Sequence, residues 1–372
     1  MTKQCVKCPQ AGVVRLNHKD SYCRSCFLHY VNHRFRSTLG KRRIFDKDEP
    51  VLICFSGGLS SSALLDLVYK ATEGLDDKRL KVKPSVLLLI ENHQLITSDI
   101  ITTLKKYSPV IPVHLAYLSE VLYSDDNFRL HTSTDFRSDA CPVDIRAEAS
   151  LSELLKSVRS ETSLLDLYER LKLLALMKCA TKLKFSYLLL GHCSSILASN
   201  CFADVALGRG DQIVRKVDLV EKINLEIGHG SDSTNVTTVK PLRDIDIKAL
   251  TFYNKFNEIE TFINEPEEIL RTRRNVHQLS IQRETSDFVV DLTSRFPSTV
   301  ATLMSTASKL ACASIPVENN ATKSDLCFLC RHHILELDHI FELDSSKRCD
   351  TLDESSYCYG CRTILRDIDN LN

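Results

Sequence analysis

Residues 51–66 read VLICFSGGLSSSALLD: five apolar residues run straight into Ser56-Gly57-Gly58, and a helical pattern begins within three residues of the second glycine. A short continuous apolar run suits a strand buried on both faces, and such a strand feeding a glycine turn and a helix points to a parallel α/β sheet. Two glycines let the backbone approach an anion closely, while the free N–H groups at the start of the helix point at it. No Gly-Lys-Ser/Thr follows, which excludes a Walker A loop. Ser60, Ser61 and Ser62 offer hydroxyls but no carboxylate, the natural protein ligand for the magnesium that accompanies nucleotide phosphates. Read by itself, the stretch is equally an ordinary strand-to-helix connection with a serine N-cap.

Outward from this loop the pattern alternates. Residues 51–55, 85–90, 110–116 and 187–190 are apolar runs of strand length. Residues 63–71, 93–106 and 147–183 carry apolar side chains at helical spacing. Strand-helix alternation predicts a parallel sheet with helices on both faces and a ligand at the carboxyl ends of the strands. Residues 228–238 are polar and turn-rich, helical segments over 247–262 and 286–310 complete the central domain, and 314–323 form a linker.

With 372 residues, 43% of them hydrophobic, the chain has room for two or three domains with good cores. Its longest aliphatic run is Val86 to Ile90, far short of a bilayer span, and the first ten residues lack an apolar leader pattern. The expectation is a soluble cytoplasmic protein without a membrane partner. Lys+Arg and Asp+Glu balance at 48 each, so binding to nucleic acid requires a local patch rather than overall charge.

Eight of the 15 cysteines form four Cys-x-x-Cys pairs, placed near the two ends. Cys5-x-x-Cys8 is followed after 14 residues by Cys23-x-x-Cys26, the spacing of two knuckles that clasp one tetrahedral zinc. Cys327-x-x-Cys330 and Cys358-x-x-Cys361 are 27 residues apart, an insert that leaves Cys349, His332 and His333 as substitute ligands. Two metal sites are expected; four-thiolate knuckles favour zinc, with an iron–sulfur cluster as the open alternative. The other cysteines, Cys141 among them, show no such pairing.

After the first cysteine set, residues 21–45 contain no acid, yet carry Arg34, Arg36, Lys41, Arg42 and Arg43, with Phe27, Tyr30 and Phe35 interleaved. Cations alternating with flat rings suit an RNA backbone and its stackable bases; the other reading is a solvated helix face.

The Ser56-Gly57-Gly58-x-x-Ser loop resembles the S-G-G-x-D-S loop of the PP-loop ATP pyrophosphatases, with Ser60 in place of the aspartate. A second segment, Leu188 to His192, is similar to that family's Gly-His-Asn step, but Cys193-Ser194-Ser195 replaces the acids that usually follow. Residues 206–211 (ALGRGD) and 239–244 (VKPLRD) come next, the latter resembling an Arg/Lys-Pro-Leu strand end. In this order, between terminal cysteine pairs, these segments resemble the family of cytoplasmic tRNA 2-thiolation protein 2, the partner subunit of the cytosolic wobble-uridine thiouridylase.

That resemblance implies a PP-loop α/β domain flanked by zinc-ribbon-like modules, divided as residues 1–45, 46–315 and 316–372. It implies a heterodimer with a paralogous catalytic subunit, which activates the uridine carbonyl with ATP and takes sulfur from a ubiquitin-like thiocarboxylate carrier. Such catalytic subunits have paired central cysteines; here Cys141 stands alone and no cysteine lies between Cys201 and Cys312, so no catalytic residue is assigned. Ser56, Gly57, Gly58, Ser60, Ser61, Gly191 and His192 form a degenerate nucleotide site, which either binds ATP weakly or persists for the dimer interface. His192 is either a phosphate contact or a strand-end cap. The alternatives are a self-sufficient ATP-dependent tRNA-modifying enzyme and a zinc-ribbon interaction protein that binds no RNA.

Overall fold

The computed structural model describes residues 4–16, 20–73, 79–91, 98–123, 128–132, 144–225, 234–262, 279–313, 326–332 and 356–368. Val14–Arg15 (β1) and Ser21–Tyr22 (β2) pair antiparallel ahead of Arg24–Gly40 (α1). Phe27, Val31, Phe35 and Leu39 recur every fourth residue on α1 and are buried, whereas Arg24, His29, His33, Arg34 and Arg36 face outward.

The main sheet begins with Glu49–Phe55 (β3), which runs through the glycine turn into Leu59–Glu73 (α2). Val82–Ile90 (β4), Ser98–Tyr107 (α3), Val113–Tyr117 (β5) and His131–Thr132 (β6) follow. Ile145–Ser157 (α4) and Glu161–Lys182 (α5) lead to Tyr187–Leu189 (β7) and Ser194–Ala206 (α6). Next come Ile213–Val217 (α7), the hairpin Val220–Leu225 (β8) and Thr234–Val239 (β9), and Ile247–Phe256 (α8). Ile281–Arg295 (α9), Thr299–Ala313 (α10) and Tyr359–Arg366 (α11) complete the described elements.

The strands lie in the order β6-β5-β4-β3-β7-β9-β8. The inner five are mutually parallel; β6 and β8 pair antiparallel at the edges. Alternation along β3 divides the core: Val51, Ile53 and Phe55 join α1, α2, α3 and α8 on one face, while Leu52 joins α4, α5 and α11 on the other. Helices thus cover both faces, as the sequence predicts. The chain steps from β3 outward through β4 to β5, then returns to the other side of β3 with β7 and β9. This reversal leaves a crevice at the carboxyl ends of β3 and β7, where open parallel sheets hold ligands.

Two sequence-predicted helices are each broken. Residues 147–183 divide at Val158, which bridges to Ile368, and at Ser160, whose hydroxyl caps α5 by accepting from the Ser163 N–H at 3.1 Å. The span 286–310 divides between α9 and α10 at Pro297, which has no N–H to continue a helix. The helix predicted over 93–106 is α3 where it is described, and the strand predicted from residue 110 starts at Val113.

Candidate nucleotide crevice, metal centres and nucleic-acid groove

The Ser56 loop and the Gly191-His192 step meet at the crevice between β3 and β7. A Cβ built on Gly191 would stand 3.0 Å from the Cα and N of Ser61, backbone against backbone. Gly57 has φ 77, a left-handed conformation that glycine adopts without strain. The serines turn inward. Ser61 Oγ accepts from the Ser56 N–H at 3.3 Å and donates to the Gly58 carbonyl at 3.0 Å, and Ser62 Oγ donates to the Gly57 carbonyl at 3.2 Å. Ser60 is buried with its hydroxyl beside the Cys193 thiol, whereas Ser56 is exposed. The Phe262 N–H donates to the Gly57 carbonyl at 2.8 Å and the Asn254 amide to the Leu59 carbonyl at 2.9 Å, bracing the loop from outside. The Ser61 and Ser62 hydroxyls are thus engaged within the loop itself, at the start of α2.

Charges around the crevice pair with one another. Lys240, which follows β9, lies 2.8 Å from Glu221 of β8; both are buried. Lys172 of α5 lies 3.0 Å from Glu91, which follows β4, and the Tyr168 hydroxyl donates to the same carboxylate. Burial opposes the Glu221 charge, but Lys240 and His332 together draw its carboxyl well below the usual range. His192 is partly buried and its Nδ1 has no partner among the described residues. Desolvation, reinforced by the Lys240 charge, lowers this imidazole to about 4.

Both cysteine sets converge. In each, the four Sγ atoms lie within 4.8 Å of one another. The edge of a tetrahedron built on zinc–sulfur bonds of about 2.3 Å is about 3.8 Å. Cys8 and Cys23 are 3.6 Å apart and Cys330 and Cys358 are 3.7 Å apart, so both donor sets fit a single tetrahedral ion. In the first set, Cys5 and Cys23 are buried and Cys8 and Cys26 partly so. The Ser25 hydroxyl and the Cys26 N–H lower the Cys23 thiol to about 6, favouring the thiolate a metal needs. In the second set all four are at most 3% exposed. His332 is not among those donors: its ring nitrogens lie 2.8 Å from the Cys330 carbonyl and 3.1 Å from the Glu221 carboxylate. Cys349, His333 and Cys141 lie outside the described residues.

A groove of about 1240 Å³ runs between α1, the turn after β9, the first turn of α6 and the pair α9–α10. Arg34, Lys41 and Arg42 line it, together with Tyr30, Arg243 and Lys248. Arg36 and Arg43 are exposed but stand outside its lining. The basic segment is also less bare than its sequence implies. Arg42 pairs with Asp218 at 2.8 Å, and Arg34 donates to the Asp244 carbonyl at 3.3 Å while stacking over Tyr30. Asp20, Asp244 and Asp246 also border the groove, where the five cations named and Arg15 outnumber these three acids. Arg243 and Lys248 were missed in the sequence because they lie two hundred residues from α1; the Lys-Pro-Leu-Arg run was the available signal.

The profile of the family described as cytoplasmic tRNA 2-thiolation protein 2 matches residues 280–339, which include α9, α10, Cys327 and Cys330. Curated proteins of that name align far beyond this segment. The Aedes aegypti protein is 27% identical over 371 residues, covering 97% of this chain and 75% of its own. For the Anopheles gambiae protein the values are 27% over 400 residues, 98% and 92%. Over nearly its whole length the chain is similar to proteins of that name. The solved U34-tRNA thiolase NcsA from Methanococcus maripaludis, described with its [4Fe-4S] cluster, superimposes with a TM-score of 0.57 at 16% identity. The match covers 89% of this chain and 97% of that one, a likeness of fold that agrees with the PP-loop architecture.

Proposed function

We propose that this chain is the non-catalytic subunit of a cytoplasmic tRNA thiouridylase, supporting ATP-dependent 2-thiolation of the wobble uridine by a paralogous catalytic subunit. Sulfur reaches that partner from a ubiquitin-like thiocarboxylate carrier, so this chain meets the carrier only indirectly. One observation carries the reading: the loop that would cradle ATP is bonded to itself through Ser61 and Ser62, with serine rather than a carboxylate at Ser60. Adenylating a carbonyl oxygen requires bringing the α-phosphate to it and neutralising the departing pyrophosphate, for which metal and free cations contribute most. Here Lys172 and Lys240 are already paired with acids.

In this reading residues 1–45 and 316–372 are zinc modules around a PP-loop body of residues 46–315, and tRNA lies along the cationic groove. Arg34, Lys41 and Arg42 contact phosphates within it, with Arg36 and Arg43 extending the surface. Affinity purification from the source cell should bring down a PP-loop paralogue. The purified chain, incubated with ATP, magnesium and tRNA, should release no pyrophosphate above background. Pyrophosphate release by the chain alone would overturn the non-catalytic assignment.

A further inference from the structure

Arg209 lies between α6 and α7 and is 1% exposed, the largest fully buried side chain described. Its Nη1 is 2.5 Å from Oδ2 of Asp166 on α5, and its Nη2 faces Sγ of Cys361 at 3.9 Å. Glycines on both sides make this approach possible. A Cβ on Gly360, inside α11, would meet the guanidinium carbon and Nε of Arg209 at 2.7 Å. Gly208 has φ +72, and a Cβ there would meet the Tyr359 ring at 2.6 Å. Two close approaches, one contributed by each segment, thus press the same guanidinium against the same cysteine knuckle.

Four thiolates around a divalent ion carry a net charge of minus two. Burying that charge is costly unless donors and counter-charges accompany it. The second cysteine set is buried throughout, and Asp166 close by is shared between Arg170 on Oδ1 and Arg209 on Oδ2. Arg209 stands between the cysteines and this carboxylate. The first set differs: among the described residues of 4–45 no lysine or arginine is buried, and a serine hydroxyl is what reaches Cys23, at 3.3 Å.

We propose that Arg209 is the charge-balancing and positioning residue of the second four-cysteine centre, tying its occupancy by metal to the packing of α5 and α6. The proposal rests on the reading of Cys327, Cys330, Cys358 and Cys361 as metal ligands. Metal fixes Cys361, Cys361 accepts from Arg209, and Arg209 in turn holds Asp166 and the turn that leaves α6. The opposite end of α6 opens onto the cationic groove, so the centre acts on that surface through one rigid helix.

The test uses the full zinc-loaded chain and follows zinc release to a chromophoric chelator. Release from the first set is assigned with Cys5→Ser/Cys8→Ser. Arg209→Met alone would leave the Asp166 carboxylate only Arg170, at 3.2 Å, so the principal variant is Arg209→Met/Asp166→Asn, with Arg209→Lys beside it. Loss of an outer-sphere partner typically costs about 10- to 100-fold in metal affinity, and release from the second set should accelerate by a similar factor. Release from the first set should not change, and Arg209→Lys, which keeps the charge, should fall between wild type and the double variant. Wild-type release from the second set in a double variant of native helical content overturns the proposal alone. A wild-type chain that holds no zinc at the second set overturns the metal reading, and the proposal with it.

Discussion

Gly191 and Ser61 are in backbone contact: any side chain on the first would press to within 3.0 Å of the main chain of the second. The contact joins the turn after β7 to the first turn of α2, so the two halves of the sheet are locked together at their switch point. Nothing flexible lies between them to yield.

Gly191→Ala should therefore behave as an overpacking mutation and cost about 1–3 kcal/mol of stability. Denaturant unfolding of the variant beside wild type measures it. An unchanged midpoint would mean that the crevice opens without penalty.

Ser60→Ala should leave tRNA thiolation by the assembled complex nearly unchanged, because the Ser60 hydroxyl is buried and provides no charge. The measurement is 2-thiouridine formed per unit time, with complex assembly checked in parallel. Abolished thiolation in an intact complex would restore a catalytic role to this loop.

Acidification should weaken the fold through His192. Its pKa in the folded protein, about 4, lies below the ordinary histidine value of 6.5, so the folded state favours the neutral ring. The stability tied to neutrality is fully present above pH 6.5 and is lost as pH falls toward 4. Allowing for partial exposure, the loss is about 2 kcal/mol. His114, also lowered by burial, titrates in the same direction, so His192→Gln must be compared with wild type across the range. Parallel stability–pH curves would refute the assignment.

Fully reduced protein purified without chelator should contain about two zinc per chain, one for each four-cysteine set. Elemental analysis decides this. Iron in place of zinc would point to a cluster, and an absence of both metals would reduce the cysteines to packing.

Asp218→Asn should strengthen RNA binding by releasing Arg42 from its ion pair while keeping an oxygen for the Leu219 N–H. If Arg42 then takes a phosphate, the slope of log affinity against log salt should steepen by roughly 0.7 to 0.9. A salt series with the assembled complex tests it, and an unaltered slope would move the RNA surface away from Arg42.

Four strands were legible because buried parallel strands are continuous apolar runs, as at 51–55 and 85–90, whereas β9 was hidden in the polar stretch 228–238 that reads as a loop. The four Cys-x-x-Cys pairs were equally plain, since pairs at that spacing have few uses besides metal. Features made by distant residues were hidden. Arg42 looks uncompensated across residues 21–45, yet its acid lies 176 positions away. The serines of the glycine loop read as phosphate donors because their type, not their direction, is written in the sequence. Arg209 sat in plain view within Gly-Arg-Gly, but only the neighbouring glycine Gly360, from another helix, explains why it is enclosed.

The capping of α5 fixes an order of events during synthesis. Ser160, the residue that opens this 22-residue helix, donates its N–H to Asp367 Oδ2 at 3.0 Å, across a separation of 207 residues. At about 5–20 residues per second, roughly 10–40 s pass on the ribosome before that carboxylate exists. Throughout this interval the N-cap residue of the longest described helix lacks the carboxylate its N–H will bond, and Val158 still awaits its partner Ile368. A nascent chain is thus most vulnerable at the start of α5, and chaperone engagement or proteolysis of stalled chains should concentrate there.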